Sequence, residues 1–496
     1  MVVLDSPALP DGVIAVVKRD CPTCELVVTV IDQLAATGVS VTVYTQDDPA
    51  FPPVSAPVVD DTQLQMSWAH RIETVPTLLR VSDGREQARV VGWSRAQWEE
   101  LSGIDGLGPD LPEQRPGCGS RSVDPDMVDE LAVRFGGSAL RSRRIELARL
   151  EDELEAMFDR GWTDGLPVVP PTEARVLRML EGTTRPPGEV VAVVPPDLVE
   201  VTVEQVAVNA VMAGCRPEYL PVVLTAVEAA CTDEFNMHGL VATTFFSGPI
   251  IVVNGPIAER IGMNSGNNVL GEGNRANLTI GRALQLVVRN LGGGRPGTRT
   301  RPGVDMSLMG SPGKLGFCFA EREDDSPFEP LATSRGLPPG ADAVTLFAGQ
   351  GPTAIADQLS RTPESLVRSM AGVLATVWHP KLVLGADAML VVGPEHGRIF
   401  RQAGWDRARL RAELDELLTV DTDDLLRGRD GIDEGLPPAL AGRRVTKFRP
   451  DGLHIVHAGG DAGLFSAVLD GWVGGPMGSI PVTRPILSPT TASEHQ

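Results

Sequence analysis

Two cysteines separated by two residues form the most distinctive chemical pattern in this chain of 496 residues. Cys21 and Cys24 stand in the sequence Cys-Pro-Thr-Cys, at the start of a stretch whose apolar residues have helical spacing. The N-terminus of a helix stabilises a thiolate, because its dipole and its free N–H groups favour negative charge. We therefore predict a redox-active disulfide in which Cys21 is the attacking thiol and Cys24 the resolving thiol.

A third cysteine, Cys118, lies in the glycine turn Gly-Cys-Gly-Ser. The flanking glycines leave the backbone free and the thiol uncrowded. Arg115 and Arg121 are electropositive neighbours, which favour a thiolate. Two interpretations stay open: a flexible linker with an incidental cysteine, or a thiol that exchanges with the dithiol of Cys21 and Cys24.

Three further residues are candidates for thiol or proton chemistry. Cys215 lies at a predicted helix end before Arg-Pro and is a second candidate reactive thiol. His396 follows Glu395 at the end of a predicted strand, and His238 lies in the segment EFNMHGL. Either histidine could move protons, and either could instead be a buried histidine with satisfied hydrogen bonds.

A loop rich in asparagine and glycine separates the apolar strand GPIIVVNGP from a helix predicted to begin near Leu278. This geometry binds anions through backbone N–H groups, although neither a Walker nor a dinucleotide-binding pattern is present. Asparagine also tolerates left-handed turns, so a structural role stays open. We predict a polar substrate pocket between this loop and the carboxyl ends of later strands. Its candidate binding residues are Asn254, Asn264, Asn267, Asn268, Glu272, Asn274, Arg275, Asn277, Glu395 and Asp461.

The sequence requires no cofactor beyond the redox-active disulfide; a metal stays open as an alternative, although no pair of histidines has the spacing of a metal site. The net charge of -21, the pI near 4.8 and the 4% aromatic content argue against a nucleic-acid or anionic-membrane partner. The sequence shows no secretion signal or membrane-spanning run, and its six cysteines do not form a secreted disulfide framework. A cytoplasmic protein is therefore expected. Scarce charge between 205 and 295 indicates either a buried core or a homo-oligomer interface.

Residues 10–104 are predicted to form strand, helix, strand, helix, β-hairpin and helix, with Cys-Pro-Thr-Cys after the first strand. This order, together with Val75-Pro76-Thr77, resembles the thioredoxin/glutaredoxin family. The resemblance implies a cis-proline at Pro76 beside the dithiol. A relay of this kind needs a cellular thiol or a disulfide reductase as its electron donor.

The remaining chain is predicted to be a larger α/β portion with strand, glycine-loop and helix units. We expect a linker over 105–137, an α/β domain over 138–340 that begins with a charged helix over 138–162, and a C-terminal subdomain over 341–496. In the subdomain, AMLVVGPEHGRIF and LHIVHAGGDAGLFSAVLDGW are each predicted to be a strand followed by a loop and a helix.

Four long motifs occur in this portion: DGLPVVPPT, MAGCRPEYLPVV, NSGNNVLGEGNRANLTIGRA and GGDAGLFSAVLDGWVGGPMGS. They resemble a sparsely characterised bacterial family associated with the UGSC proteins, some of which are selenoproteins with Sec-Gly-Ser-Cys. Cys118 would stand at the selenocysteine position, and Arg121 replaces the second cysteine. The resemblance implies redox or thiol chemistry at sulfur or selenium.

These observations favour a thiol-dependent oxidoreductase that acts on a small polar metabolite, with the dithiol regenerating an active-site thiol. One alternative is a non-redox enzyme with a thiol nucleophile, which cleaves carbon–sulfur or carbon–metal bonds or transfers sulfur. Another is a redox-sensing protein that binds a small ligand without turnover.

Overall fold

The computed structural model of this protein describes residues 7–136, 140–148, 151–297, 303–428 and 435–487. The chain has an α/β fold and forms two compact units. The first unit takes in residues 1–140 and 173–177, and the second takes in residues 141–172 and 178–496. Among the described residues, no helix is long and apolar enough to cross a membrane.

The first unit is built on a five-stranded mixed sheet. Its elements are β1 (Gly12–Val17), α1 (Pro22–Ala36), β2 (Val41–Thr45), β3 (Val58–Asp60), α2 (Gln65–Ala69), β4 (Thr74–Val75), β5 (Thr77–Ser82), β6 (Arg85–Val91), β7 (Trp93–Ser94), α3 (Arg95–Ser102), β8 (Gln114–Arg115), β9 (Cys118–Gly119) and α4 (Pro125–Phe135). The strand order is β3-β2-β1-β5-β6, with β1, β2 and β3 parallel and β5 and β6 antiparallel to their neighbours. The elements predicted for residues 10–104 occur in the predicted order, with one further strand, β3, that was not predicted; Cys21 and Cys24 belong to the core of this unit.

Residues 105–137, which were expected to be a linker, belong instead to the first unit wherever the structure describes them. The indole N–H of Trp93 donates a hydrogen bond to the carbonyl of Pro112, and the guanidinium of Arg95 donates to the carbonyl of Leu111. Because these side chains bind the backbone of the segment, it is fixed against α3 rather than left free.

The second unit contains a seven-stranded sheet. Its elements are α5 (Glu153–Asp159), α6 (Glu173–Leu180, which spans the division), β10 (Val190–Val194), β11 (Val199–Thr202), α7 (Val203–Ala213), α8 (Leu220–Ala230), α9 (Met237–Ala242), β12 (Gly248–Asn254), α10 (Ile257–Arg260), α11 (Arg275–Asn290), β13 (Phe317–Ala320), α12 (Leu331–Ser334), β14 (Ala343–Ala356), α13 (Pro363–Leu374), β15 (Ala386–Val392), α14 (Pro394–Gln402), α15 (Arg407–Leu417), β16 (Thr419–Asp421), β17 (Arg444–Thr446), β18 (Leu453–His457), β19 (Phe465–Val473) and β20 (Val482–Pro485).

The strand order of this sheet is β13-β12-β14-β19-β15-β18, and β20 also pairs with β14. The order corrects two expectations. The boundary at 340/341 does not separate domains, because strands from both sides of it share one sheet. The segment after the loop at Asp461 is strand β19 rather than a helix, because it pairs with β14 on one side and with β15 on the other.

The charged helix predicted over 138–162 is also wrong in the part that the structure describes. Residues 140–148 are not helical, and only α5 forms. The carboxylate of Glu204 accepts hydrogen bonds from the backbone N–H groups of Arg141 and Ser142, which holds the chain in a non-helical path. Asp152 then starts α5 as an N-cap. Residues 138, 139, 149 and 150 lie outside the described residues.

Candidate functional site

The Cys-Pro-Thr-Cys dithiol lies at the N-terminus of α1, as the sequence predicted. Cys21 is the N-cap residue with extended backbone, and Pro22, which has no N–H group to leave unpaired, occupies the first helical position. The sulfur of Cys21 accepts a hydrogen bond from the backbone N–H of Cys24 at 3.4 Å. The Cys21 sulfur thus takes the position of an N-cap oxygen, at the positive end of the helix dipole.

Cys118 lies directly beside this dithiol. Its strand β9 pairs antiparallel with β4, in a register that places Cys118 opposite Val75. The Val75–Pro76 peptide bond is cis, as the resemblance implied, and the Val75 carbonyl oxygen lies 3.5 Å from the Cys21 sulfur. The sulfur atoms of Cys21 and Cys118 are 2.8 Å apart. Cys21, Cys24 and Cys118 therefore form one group of three free thiols, the three-cysteine cluster.

Hydrogen bonds on both sides of Cys118 hold its segment against the dithiol. Upstream, β8 pairs antiparallel with β7, and the hydroxyl of Thr23 donates to the carbonyl of Pro116 at 2.7 Å. Downstream, the backbone N–H of Ser120 donates to the carbonyl of Glu73 at 2.9 Å. Because the backbone is paired before and after Cys118, the position of its thiol is set by the first unit itself.

A buried amide, that of Gln46, supports the same segment from the end of β2. Its carbonyl oxygen accepts from the backbone N–H of Arg121 at 3.0 Å. Its NH₂ group donates to the hydroxyls of Ser67 at 2.8 Å and Ser120 at 2.7 Å. Both donors and the acceptor of this amide are therefore satisfied, which fixes the chain just after Cys118.

The three thiols have different affinities for protons. Hydrogen bonding from Cys24, supported by a hydrogen bond from Cys118, lowers the pKa of Cys21 from 9.0 to about 5 against the effect of burial. Burial, followed by the hydrogen bond to Cys21, raises the pKa of Cys24. The same two causes raise the pKa of Cys118. At neutral pH the cluster therefore carries one negative charge, on Cys21, with the other two thiols as hydrogen-bond donors.

Exposure also separates the three thiols. Cys21 is 1% exposed and Cys24 is fully buried, whereas Cys118 is partly exposed. Cys118 is thus the member of the cluster that a molecule in solution can reach.

Cys215 does not belong to this cluster, because it lies in the second unit. Its thiol is buried and donates to the carbonyl of Thr279 at 3.4 Å. Burial raises the pKa of Cys215 to about 12. Its thiol is therefore protonated at neutral pH, and the environment does not favour the nucleophile that the sequence suggested.

The two candidate histidines also lie in the second unit. His396 is completely buried in α14. Its Nε2–H donates to the carbonyl of Asp357 at 3.0 Å, and its Nδ1 accepts from the hydroxyl of Ser466 at 2.8 Å. These bonds satisfy both ring nitrogens, which is the structural alternative considered for this residue. His238 is exposed on α9.

Most of the asparagines in the predicted pocket bind the loop itself. The side chain of Asn277 exchanges two hydrogen bonds with the backbone of Asn264, at 3.0 and 2.9 Å. The amide of Asn264 donates to the carbonyl of Asn267, and that of Asn268 donates to a carbonyl four residues further on. Asn274 is the N-cap of α11. Turns and a helix cap therefore account for these side chains without a ligand.

Two other residues of the predicted pocket are exposed, Glu272 and Arg275. The guanidinium of Arg275 donates to the carbonyl of Gly214 at 2.9 Å. Both side chains are accessible.

Contacts between strand ends connect Asn254, Glu395 and Asp461 indirectly. The backbone N–H of Arg322, just after β13, donates to the carbonyl of His457 at the end of β18, at 2.7 Å. This hydrogen bond joins the ends of β13 and β18, which stand at opposite ends of the strand order.

Ion pairs connect part of the strand-end group, which consists of Asn254, Glu395, Asp461 and the residues that contact them. Arg322 pairs with Asp461 at 2.9 Å, and Arg398 lies 3.7 Å from Asp461 and 3.8 Å from Glu395. The amide of Asn254 donates to the buried carboxyl of Glu321 at 2.7 Å. Burial raises the pKa of Glu321.

Among the described residues, no group of three or more His, Cys, Asp or Glu side chains is arranged to hold a metal ion.

Gln46 and Thr23 both position the chain around Cys118, and neither was among the predicted site residues. Gln46 directly follows the carboxyl end of β2. Functional side chains commonly lie at the carboxyl ends of strands, and this position could have marked Gln46 as a candidate. Thr23 lies inside the Cys-Pro-Thr-Cys motif, but its partner is 93 residues away, and no local pattern reveals that contact.

In comparisons with known proteins, the chain matches no protein-family model, and no curated protein is similar to it in sequence at a significant level.

Proposed function

We propose that this protein is a thiol-dependent oxidoreductase in which the dithiol of Cys21 and Cys24 restores the thiol of Cys118. The 2.8 Å separation of the Cys21 and Cys118 sulfur atoms is the observation that supports it most strongly. The likeness of residues 10–104 to the thioredoxin/glutaredoxin family supports it as well. Cys118 is the thiol that reacts with a small polar substrate.

The pKa values of the cluster fit a defined order of steps. A substrate oxidises Cys118, leaving a group X (hydroxyl, or the thiolate of a small molecule) bonded to its sulfur. The Cys21 thiolate attacks that sulfur, X leaves with a proton, and a disulfide forms between Cys21 and Cys118. Cys24 then attacks the Cys21 sulfur and forms the Cys21–Cys24 disulfide.

In that last step the proton of Cys24 passes to the departing Cys118 thiolate, whose pKa is raised by burial. Two electrons have moved from the dithiol to the substrate. A cellular thiol or disulfide reductase supplies two electrons to return the dithiol to its reduced form. We place this cycle in the cytoplasm, where such donors keep thiols reduced.

The non-redox alternative requires Cys118 to act as a nucleophile whose oxidation state is the same before and after each turnover. It gives no role to the dithiol, whose Cys21 sulfur lies 2.8 Å from that of Cys118, because a nucleophile that is restored within each turnover needs no electrons. Binding of a small polar molecule at the strand-end group of the second unit stays a prediction of its own. It draws support from Asn254 Oδ1 and His457 Nε2, two buried acceptors without a hydrogen-bond partner among the described residues.

Trapping the exchange intermediate tests the proposed function. In Cys24→Ser the resolving thiol is absent, so oxidation should leave a Cys21–Cys118 disulfide, found by mass mapping of a non-reducing digest. Cys215→Ser is the control and should not alter that product. If Cys21 of the Cys24→Ser variant forms a disulfide only with an external thiol, the internal relay is wrong.

A further inference from the structure

The short strands β4 and β7 lie beside the dithiol, and both are already paired with the chain's own backbone. An extended polypeptide binds such an edge by adding a strand, with main-chain hydrogen bonds that do not depend on its sequence. Here residues 114–119, the Cys118 segment, take that place. The segment pairs with β7 through β8 and with β4 through β9.

The fit of this segment leaves no room for a second chain in the same place. A Cβ atom on Gly117 would lie 2.5 Å from Thr74 Cγ2 and 2.7 Å from the Val75 carbonyl oxygen. Gly92, on the opposite side, has a φ of +74°, and a Cβ there would lie 3.0 Å from the carbonyl oxygen of Arg115. Such contacts require glycine at both positions, and the segment therefore packs directly on the backbone that flanks the dithiol.

We propose that the Cys118 segment restricts the relay to small thiols and disulfides, which reach it through Cys118, and excludes protein disulfides. This inference rests on the proposed function. Cys21 and Cys24 are buried beneath the segment, whereas Cys118 is partly exposed. A small molecule can contact the Cys118 sulfur, but a polypeptide cannot pair with β4 while β9 occupies it.

Reduction of the resting disulfide by a small thiol RSH then follows one path. The Cys118 thiolate attacks the sulfur of Cys21 in the Cys21–Cys24 disulfide, and Cys24 leaves and takes a proton. One RS⁻ attacks the Cys118 sulfur and releases the Cys21 thiolate. A second RS⁻ attacks the mixed disulfide, releasing RSSR and the Cys118 thiol. Two RSH molecules have supplied the two electrons. Cys118 is the residue that the first RS⁻ attacks and from which RSSR is released.

The test compares a small and a large substrate with the full-length protein. Glutathione should reduce the wild-type Cys21–Cys24 disulfide, and Cys118→Ser should slow that reaction at least tenfold, because the buried disulfide has no other route to the solvent. With the dithiol reduced, the wild type should leave insulin disulfides intact.

Two glycine variants provide the matched comparison. Gly117→Ala should displace the segment and increase the rate of insulin reduction at least tenfold, whereas Gly119→Ala should not, because a Cβ at Gly119 meets no atom within 4 Å. If Gly117→Ala does not fold, Thr23→Val takes its place. It removes the hydrogen bond to the Pro116 carbonyl and should also displace the segment.

The restriction is overturned if wild-type protein reduces insulin as fast as the opened variants, or if Cys118→Ser is reduced by glutathione at the wild-type rate. This failure differs from failure of the proposed function, in which Cys24→Ser yields no Cys21–Cys118 disulfide. A protein that forms that disulfide and also reduces insulin keeps the relay and loses the restriction.

Discussion

Removing the thiol of Cys118 should weaken the ionisation of Cys21. The two sulfur atoms are 2.8 Å apart, and the hydrogen bond from Cys118 helps to hold the pKa of Cys21 at about 5. A hydrogen bond to a charged group contributes about 1.5–3 kcal/mol, and one pKa unit corresponds to about 1.4 kcal/mol. Cys118→Ala should therefore raise the pKa of Cys21 by about 1–2 units.

Cys118→Ser is the matched control for this change. A serine hydroxyl keeps a donor at the same position of β9, so the pKa of Cys21 should stay within about half a unit of the wild-type value. The paired backbone on both sides of residue 118 should keep either side chain in place. The two variants thus differ in the hydrogen bond rather than in the path of the segment.

Ultraviolet absorbance of the thiolate, followed from about pH 3 to pH 9, measures this pKa across the ordinary range of carboxyl and thiol titration. The remaining cysteines should be silent there, since burial raises the pKa of Cys215 and Cys231 to about 12 and also raises that of Cys318. Wild-type protein should show one transition near pH 5 with the amplitude of one thiolate. A wild-type midpoint near 9, or equal midpoints for wild type and Cys118→Ala, would refute the argument.

Two predictions concern stability. Gln46→Ala should lower the free energy of unfolding of the first unit by about 2–4 kcal/mol, because it leaves several buried partners unsatisfied; Gln65→Ala, at an exposed position, is the control in the same urea titration. An equal effect of both variants would show that the buried amide is not needed. His396→Ala should destabilise the second unit by about 2–4 kcal/mol while the rate of Cys21–Cys118 exchange is unchanged, whereas His238→Ala should alter neither. Loss of exchange in folded His396→Ala would contradict the structural role given to this histidine.

Local patterns were sufficient to predict the elements of residues 10–104 except the short strand β3. Strand β1 is a short run of buried apolar residues, and α1 has a proline at its start and apolar residues at helical spacing. Each signal lies within a few residues of the element that it specifies. The dithiol was visible for the same reason, since its chemistry depends on two adjacent positions and a helix start.

Long-range pairing decided the elements that sequence analysis missed. The segment FSAVLDGWV of β19 has apolar residues at spacings that fit a helix as well as a strand, and its partners β14 and β15 select the strand. Residues 105–137 have the composition of a linker, but hydrogen bonds from Trp93 and Arg95 fix part of them on the first unit. In the asparagine-rich loop the error was of another kind. Asparagine side chains that were expected to bind a ligand stabilise turns and cap α11 instead.

The order in which the three cysteines change state tests the relay most directly. Reduced wild-type protein, mixed with one equivalent of a small-molecule disulfide and quenched with acid at increasing times, can be mapped by mass spectrometry. The account predicts that a mixed disulfide on Cys118 forms first and gives way to a Cys21–Cys118 disulfide. That disulfide then decays as the Cys21–Cys24 disulfide grows, with Cys118 returning to the free thiol. If the Cys21–Cys24 disulfide forms at once while Cys118 never changes state, Cys118 is not part of the relay.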